Sequence, residues 1–457
     1  MYKLDELEKR LKSALSLVKG GEGEIAAVSV NRRIFRLANN GITQSTDGGE
    51  GTAWVRCANA KKQGFAHIPS LAKEPLNEGV KAAMELRDLS PPLALAPQFS
   101  PQPREIPTTG KTYFESVSQF TPEKITSELE RVFRHCRSKN ITLAGLYLIA
   151  EFDFVVLNTL GLCRHFKGTK ASFKAVTYGD DEASGYAHSA SRDPERVKIA
   201  DTATYAVSEC ERSKNPLSVE PGKYDVLLMP PAISEVLEWM SFTAFNSRSV
   251  AEKTGFLADA EGNPITGENI TIYDDGNESS EDAYITPFDF EGVTKRKVVF
   301  IENGVAGAPV FSLNSGKKSG CQSTGHALPP GLWDIEDAPT NIYISPGDKT
   351  LDEMIQSVER GIFIPRFHYV NGYLNPKRAL MTGLTREGAF LIEKGKKTRA
   401  IKQLRWTEAI IDALKRAEAL GNRRECGSAD GDLFGQIIVP PILIRDFNFS
   451  GSSKDMD

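Results

Sequence analysis

His67, His135, His165, His188, His326 and His368 are the six imidazoles of a 457-residue chain, and none has another within five positions. No HExxH or HExxxH is present, so the helical pair that holds catalytic zinc is missing. Cys321 and His326 stand five apart in GCQSTGHALPP. That spacing serves metals, but two ligands are only a fragment of a site. Cys136 directly follows His135, and adjacent positions on a helix point apart. A Cys–His nucleophilic pair would have to assemble from distant parts of the chain. NSGKKSG has Phe311 where a phosphate loop needs its first glycine, GVAGAP lacks the strand–GxGxxG–helix setting, and no GxSxG elbow occurs. The acidic runs Asp274-Asp275 and Asp180-Asp181-Glu182 sit among turn formers and read as solvated turns.

The stretch PPAISEVLEWMSFTAFNSRS, Pro230 to Ser249, reads as a helix with Glu235 and Glu238 on its polar side. Ile233, Val236, Leu237, Met240 and Ala244 form its apolar side. Carboxylates do acid–base work when a metal or a substrate proton lies within reach. With no imidazole nearby, these two read as the wet face of a packed helix.

These groups must be positioned by a chain of ordinary globular composition, 40% hydrophobic and 25% charged. The net charge of -4 argues against a dedicated nucleic-acid surface, which needs a basic face. Six cysteines stand singly with no CxxC, as reduced thiols of a cytosolic protein do. The opening MYKLDELEKRLKSALSLVKGG predicts an amphipathic helix rather than a signal peptide, with Leu4, Leu7, Leu11, Leu15 and Val18 inward and Gly20 ending it. No apolar run reaches membrane length. Strands and hairpins follow over 24–57, then a helix near Glu78 to Leu89. Residues 90–107 hold six prolines and read as an extended crossing segment. A helix is expected from Pro122 to Cys136, with Thr121 as N-cap, and a long one from about Pro194 to Arg212. Val197, Ala200, Ala203, Val207 and Cys210 would form the apolar face of the second. Beyond Lys223 most runs are β-like, interrupted by helices near Leu351 to Arg360 and Thr407 to Leu420; the last residues, SSKDMD, should fray. The fold class is therefore α+β, a mixed α/β N-terminal region before a β-rich, barrel-like C-terminal domain. Three units are expected: 1–107, 108–221 and 222–457.

PFDFEGVTKRKVVFIENGVAGAPV, SGCQSTGHALPP, ALMTGLTREGAFLIEKGKKTRAIKQLRW and VPPILIRDFNFSG follow one another along the chain. In that order they resemble the TldD/PmbA family, peptidase-related proteins called modulators of DNA gyrase. NTLGLCRHFKGTKASF, GYAHSA and LSVEPGKYDVLLMPPA follow the family's order more loosely. Ser323 to His326, in the form Ser-Thr-Gly-His, leans toward the PmbA (TldE) branch. The resemblance implies a complex in which a TldD-type subunit binds zinc through an HExxxH helix and a cysteine and cleaves unfolded peptides. The PmbA-type subunit lacks those ligands and pairs with it.

Against that pattern, one register sets Leu237-Glu238 and Phe242 at the positions of His-Glu and the distal His. Another sets Ser234-Glu235 and Trp239 there. Both keep a glutamate and lose both imidazoles, and Cys426 matches the metal cysteine only loosely. The resemblance thus implies a subunit with no catalytic residue, metal or cofactor of its own. Its partners would be a TldD-like zinc-bearing subunit and unfolded peptides, with a homodimer when the partner is absent. Ser323, Thr324, Gly325 and His326 are the candidate peptide contacts. A self-sufficient metal-independent peptidase and a non-catalytic interaction protein of the gyrase-modulator type remain open alternatives.

Overall fold

The computed structural model describes residues 3–102, 110–280, 283–331, 334–428 and 433–452. The boundary expected at 107 and the tail beyond 452 lie outside them. Six antiparallel strands form the first sheet: β1 (Glu22–Ala38), β2 (Gly41–Asn59), β3 (Lys62–Ile68), β4 (Thr142–Asn158), β5 (Cys163–Tyr178) and β6 (Ser184–Ser191), in the order β3-β2-β1-β4-β5-β6. One sheet thus draws strands from both sides of residue 107.

Alternation along β4 explains how this sheet is covered. Leu143, Tyr147, Ile149, Val155 and Leu157 point to one face, where they meet the helices α1 (Leu4–Leu15), α2 (Lys73–Leu89), α3 (Pro122–Ser138) and α4 (Ile199–Arg212). Ala150, Phe152, Phe154 and Val156 point to the other, against Phe288, Phe290, Leu433 and Phe434 of the C-terminal half. Local signals set the helices: Thr121 caps α3 by accepting from the Lys124 N–H, with Pro122 in the first turn. The long helix expected from Pro194 is shorter, because a turn at Pro194–Arg196 leaves Val197 extended before α4 starts. Ala200, expected inward, is half-exposed, and Ile199, Thr202 and Ala206 are buried instead.

From β7 (Gly222–Leu228) onward the chain builds two further sheets around α5 (Pro230–Thr243). The second sheet comprises β8 (Ile272–Asp274), β9 (Val298–Glu302), β10 (Val305–Ala306), β11 (Asn341–Ile344), β19 (Glu425–Cys426) and β20 (Gln436–Val439). The third comprises β7, β12 (Arg360–Ile364), β13 (Phe367–Asn375), β14 (Leu380–Thr385), β15 (Phe390–Glu393), β16 (Lys396–Ala400), β17 (Leu404–Ala409) and β21 (Ile442–Ser452). A side strand, β18 (Ala417–Leu420), pairs with β21. The second runs β10-β9-β8-β11-β20-β19 and the third β13-β14-β17-β21-β7-β12-β15-β16. Among the described residues no strand joins the two ends of either order, so the barrel-like expectation is corrected: the α+β class holds, but two open sheets pack through α5 instead of one closing on itself. The helix expected over Thr407–Leu420 also gives way. Its flanks pair as β17 and β18 with β14 and β21, leaving only Ile410–Lys415 helical, since main-chain pairing outweighs local helix propensity.

Candidate functional site

α5 is set by Pro230 and Pro231 at its start and by an apolar side packed into the C-terminal core. Ile233, Val236, Leu237 and Met240 are buried as expected; Glu238 is exposed and Glu235 half-buried. Partial desolvation raises the Glu238 carboxyl above its ordinary value. Leu237, the first position of one zinc register, is 1% exposed and sits among Leu228, Ile344, Leu414 and Phe447, where no water or metal would reach it.

The other register behaves differently. Ser234 donates to the Gly427 carbonyl at 2.9 Å, and a Cβ on Gly427 would stand 2.4 Å from the Ser234 Cβ. Position 234 therefore lies against the segment that carries Cys426, and an imidazole there would collide with it. Trp239 points elsewhere, packing on Gly372 and edge-on to Tyr373 at 5.0 Å. Positions five apart diverge by about 140° on a regular helix, and α5 is regular from Pro230 to Thr243. Phe242 is half-buried further along. The Cys426 Sγ donates to the Ser428 carbonyl at 3.2 Å, and burial pushes its thiol up to about 12. Among the described residues no group of three or more His, Cys, Asp or Glu side chains could hold a metal ion. Residues 234, 239 and 426 do not fit zinc.

Beside Cys426 the first and second sheets face each other at their edges. β6 ends one and β19 the other, and His188 Nε2 lies 2.7 Å from the Cys426 carbonyl. Between them lies a cleft of about 680 Å³, lined by His188 to Asp193 in unbroken sequence and by Arg424 to Cys426. Side chains of a strand alternate between faces, so consecutive lining residues mean that β6 presents its main-chain edge to the cleft. The floor is braced by Arg192, 3% exposed, which donates to the carbonyls of Leu433 at 2.8 Å and Ile285 at 3.0 Å. Lys111, Arg196, Arg424, Asp193, Glu278 and Glu425 give the walls both charge signs. A second cleft of about 590 Å³ opens where β6 begins, against Thr385 to Ala389. No sequence motif announced this edge.

The Ser-Thr-Gly-His loop lies apart from the cleft lining, in a buried network. His326, 1% exposed, has Nε2 2.9 Å from Asp274 Oδ1 and Nδ1 3.0 Å from Thr324 Oγ1. The Thr340 and Asn341 N–H groups donate to Asp274 Oδ2 at 2.7 Å each, and Lys295 reaches Oδ1 at 3.3 Å. Burial alone would raise the Asp274 carboxyl; Lys295 and His326 bring it down to about 2. Burial and the nearby Lys295 ammonium lower His326, against the pull of Asp274. Asp274, expected in a solvated turn, is fully buried. Ser323 is buried too and donates to the Phe311 carbonyl, and Gly325 (φ +77°) has no room for a Cβ, which would stand 2.4 Å from the Thr294 carbonyl. Only Thr324 of the four is partly exposed.

A second buried cluster joins the two halves of the chain. Arg56 donates to Glu24 at 2.9 Å and to Glu291 at 2.8 Å. Asp289, in the same Asp-Phe-Glu-Gly segment, accepts from the N–H groups of Glu291, Val293 and Ala327. The signal for this cluster was legible: Arg56 interrupts the apolar run AWVRCA, and Glu24 is its cross-strand partner.

Residues 221–451, just over half of the chain, match the PmbA/TldA metallopeptidase C-terminal domain, and the chain belongs to the PmbA/TldD family. It is 26% identical over 200 residues to a metalloprotease of Methanocaldococcus jannaschii, covering 44% of this chain and 43% of that one. It is also 26% identical over 217 residues to a TldD-homologue metalloprotease of Haemophilus influenzae, covering 46% and 43%. The chain thus spans less than half the length of these relatives. The structure of TldE from Thermococcus kodakarensis has the same fold, with a TM-score of 0.85 at 21% identity over 97% of this chain and 100% of that one. Among the described residues no helix is long and apolar enough to cross a membrane.

Proposed function

We propose that this chain is a PmbA/TldE-like subunit that binds no zinc and holds unfolded peptides for a TldD-like, zinc-bearing partner. The observation that carries this reading is the cleft along the edge of β6, which no strand among the described residues covers, near an α5 that has Ser234 and Trp239, or Leu237 and Phe242, where imidazoles would stand. An extended peptide adds to such an edge through main-chain hydrogen bonds, and mixed wall charge suits many sequences. In this reading the chain contributes no catalytic residue and no cofactor. The complex matures or degrades peptides in the cytoplasm, where free thiols such as exposed Cys321 stay reduced. Without its partner the chain pairs with itself. Its near-balanced charge gives no basis for direct nucleic-acid binding.

The test is to purify the chain alone and together with an HExxxH-bearing homologue, then measure zinc and cleavage of an unstructured peptide. Chelator-sensitive cleavage only in the mixture is the expected result. Stoichiometric zinc and cleavage by the chain alone would overturn the reading. Chelator-resistant cleavage by the chain alone would assign it as a metal-independent peptidase. A stable complex without any cleavage would assign it as an interaction protein.

A further inference from the structure

The first sheet has a second free edge, on β2. β3 pairs with β2 only over Ala53–Asn59, and after Ile68 the chain leaves the sheet at Pro69. From Gly41 to Thr52, β2 pairs with β1 on one side, and no strand among the described residues pairs on the other. All eight residues from Thr43 to Glu50 are exposed. They read Thr-Gln-Ser-Thr-Asp-Gly-Gly-Glu, with no apolar side chain, no Lys or Pro, and two charges, Asp47 and Glu50. A Cβ on Gly48 would meet nothing within 4 Å. Where β3 stops, a notch of about 480 Å³ lined by Ser29, Gly49 to Gly51 and Pro69 to Leu71 lies beside this edge.

We propose that this edge captures an extended, unfolded polypeptide as an added strand beyond the end of β3, separate from the β6 cleft. The ligand class rests on the peptide-binding reading above; the surface does not. Main-chain donors and acceptors make the contacts, and because Thr43 to Glu50 build no side-chain pocket, selectivity for sequence is low. A second copy of this chain is the weaker occupant. Eight residues at about 3.4 Å rise and about 4.8 Å strand spacing give a footprint of about 130 Å². That is far below the roughly 800 Å² per partner that a stable interface buries.

Hydrogen exchange on the full chain tests this. The probes are a ten-residue unstructured polar peptide and its twin with alternate amides N-methylated. Outward-facing amides within 43–50 should slow about tenfold at saturating peptide, and not with the twin. N–H groups of adjacent strand residues point to opposite sides, so of Thr46→Pro and Asp47→Pro one strikes the β1 ladder and the other the free edge. The edge variant should keep the parental Tm and lose the protection. Unchanged exchange at 43–50, or protection that survives both variants, would overturn the proposal. So would slowing that rises with protein concentration without peptide, which assigns the edge to a second copy. Protection confined to 184–193 would overturn this proposal and leave the cleft reading standing; protection at neither edge would remove both.

Discussion

Around Asp274, a carboxylate, an ammonium and an imidazole are shut away from water, and the hydrogen bonds they make hold loops in place. Around α5, Ser234 donates to the Gly427 carbonyl, the Cys426 thiol is buried, and the Cys426 carbonyl lies beside His188 at one end of the cleft. The first region has residues of the types used in catalysis and no access. The cleft beyond Cys426 is open and lined by His188, Asp193, Glu278 and Glu425, with Arg424 paired to Glu278 at 3.7 Å. Along that cleft runs the edge of β6, which no strand among the described residues covers.

The largest expected effect comes from Asp274→Ala. It leaves the Lys295 ammonium buried without its carboxylate and removes the acceptor for two backbone N–H groups, which should cost about 3–5 kcal/mol in denaturant unfolding. A loss below about 1 kcal/mol would mean that water reaches this network and would erase the contrast with the cleft.

The second prediction concerns Glu24. Burial lifts its carboxyl from an ordinary 4.5 to about 7, despite the Arg56 guanidinium beside it. Between those two values the unfolded chain gives up the proton while the folded chain keeps it, so stability falls as pH rises through that window. At about 1.4 kcal/mol for each tenfold change, the loss is about 3 kcal/mol. Urea unfolding from pH 4 to 8 should show this decline, and Glu24→Gln should flatten it.

At the cleft, Gly427→Ala forces a methyl against Ser234 and should cost about 1–3 kcal/mol, accompanied by a weaker grip on peptide. The smallest effect is expected for Glu238→Gln. Its side chain is exposed, so stability should stay within about 0.5 kcal/mol, and activity with the zinc-bearing partner should be unchanged. A large loss of cleavage from this variant would put a working carboxylate on α5 and join the two halves of the comparison.

Much of the fold was legible because it rests on local signals. The 3.6-residue repeat of Leu7 and Leu11, the Thr121-Pro122 cap and the apolar run YDVLLM each placed an element close to where it lies. The failures fall where distant pairing decides. Residues 407–420 carry a helical composition but have strand partners on either side. The Asp274-Asp275 pair looked like a turn because nothing nearby in sequence announces Lys295 or His326.

The chain's order of residues was enough to determine the absence of any imidazole on α5 and the family the chain belongs to, since both depend on residue identity alone. Only the tertiary structure decided that His326 is closed in, that Ser234 abuts the Cys426 segment while Leu237 faces the core, and that β6 and β2 are left as edges. Those outcomes depend on which strands find partners and which faces are covered. Contacts between Asp274 and His326, or Ser234 and Gly427, bridge 52 and 193 residues of sequence, and no local pattern encodes them.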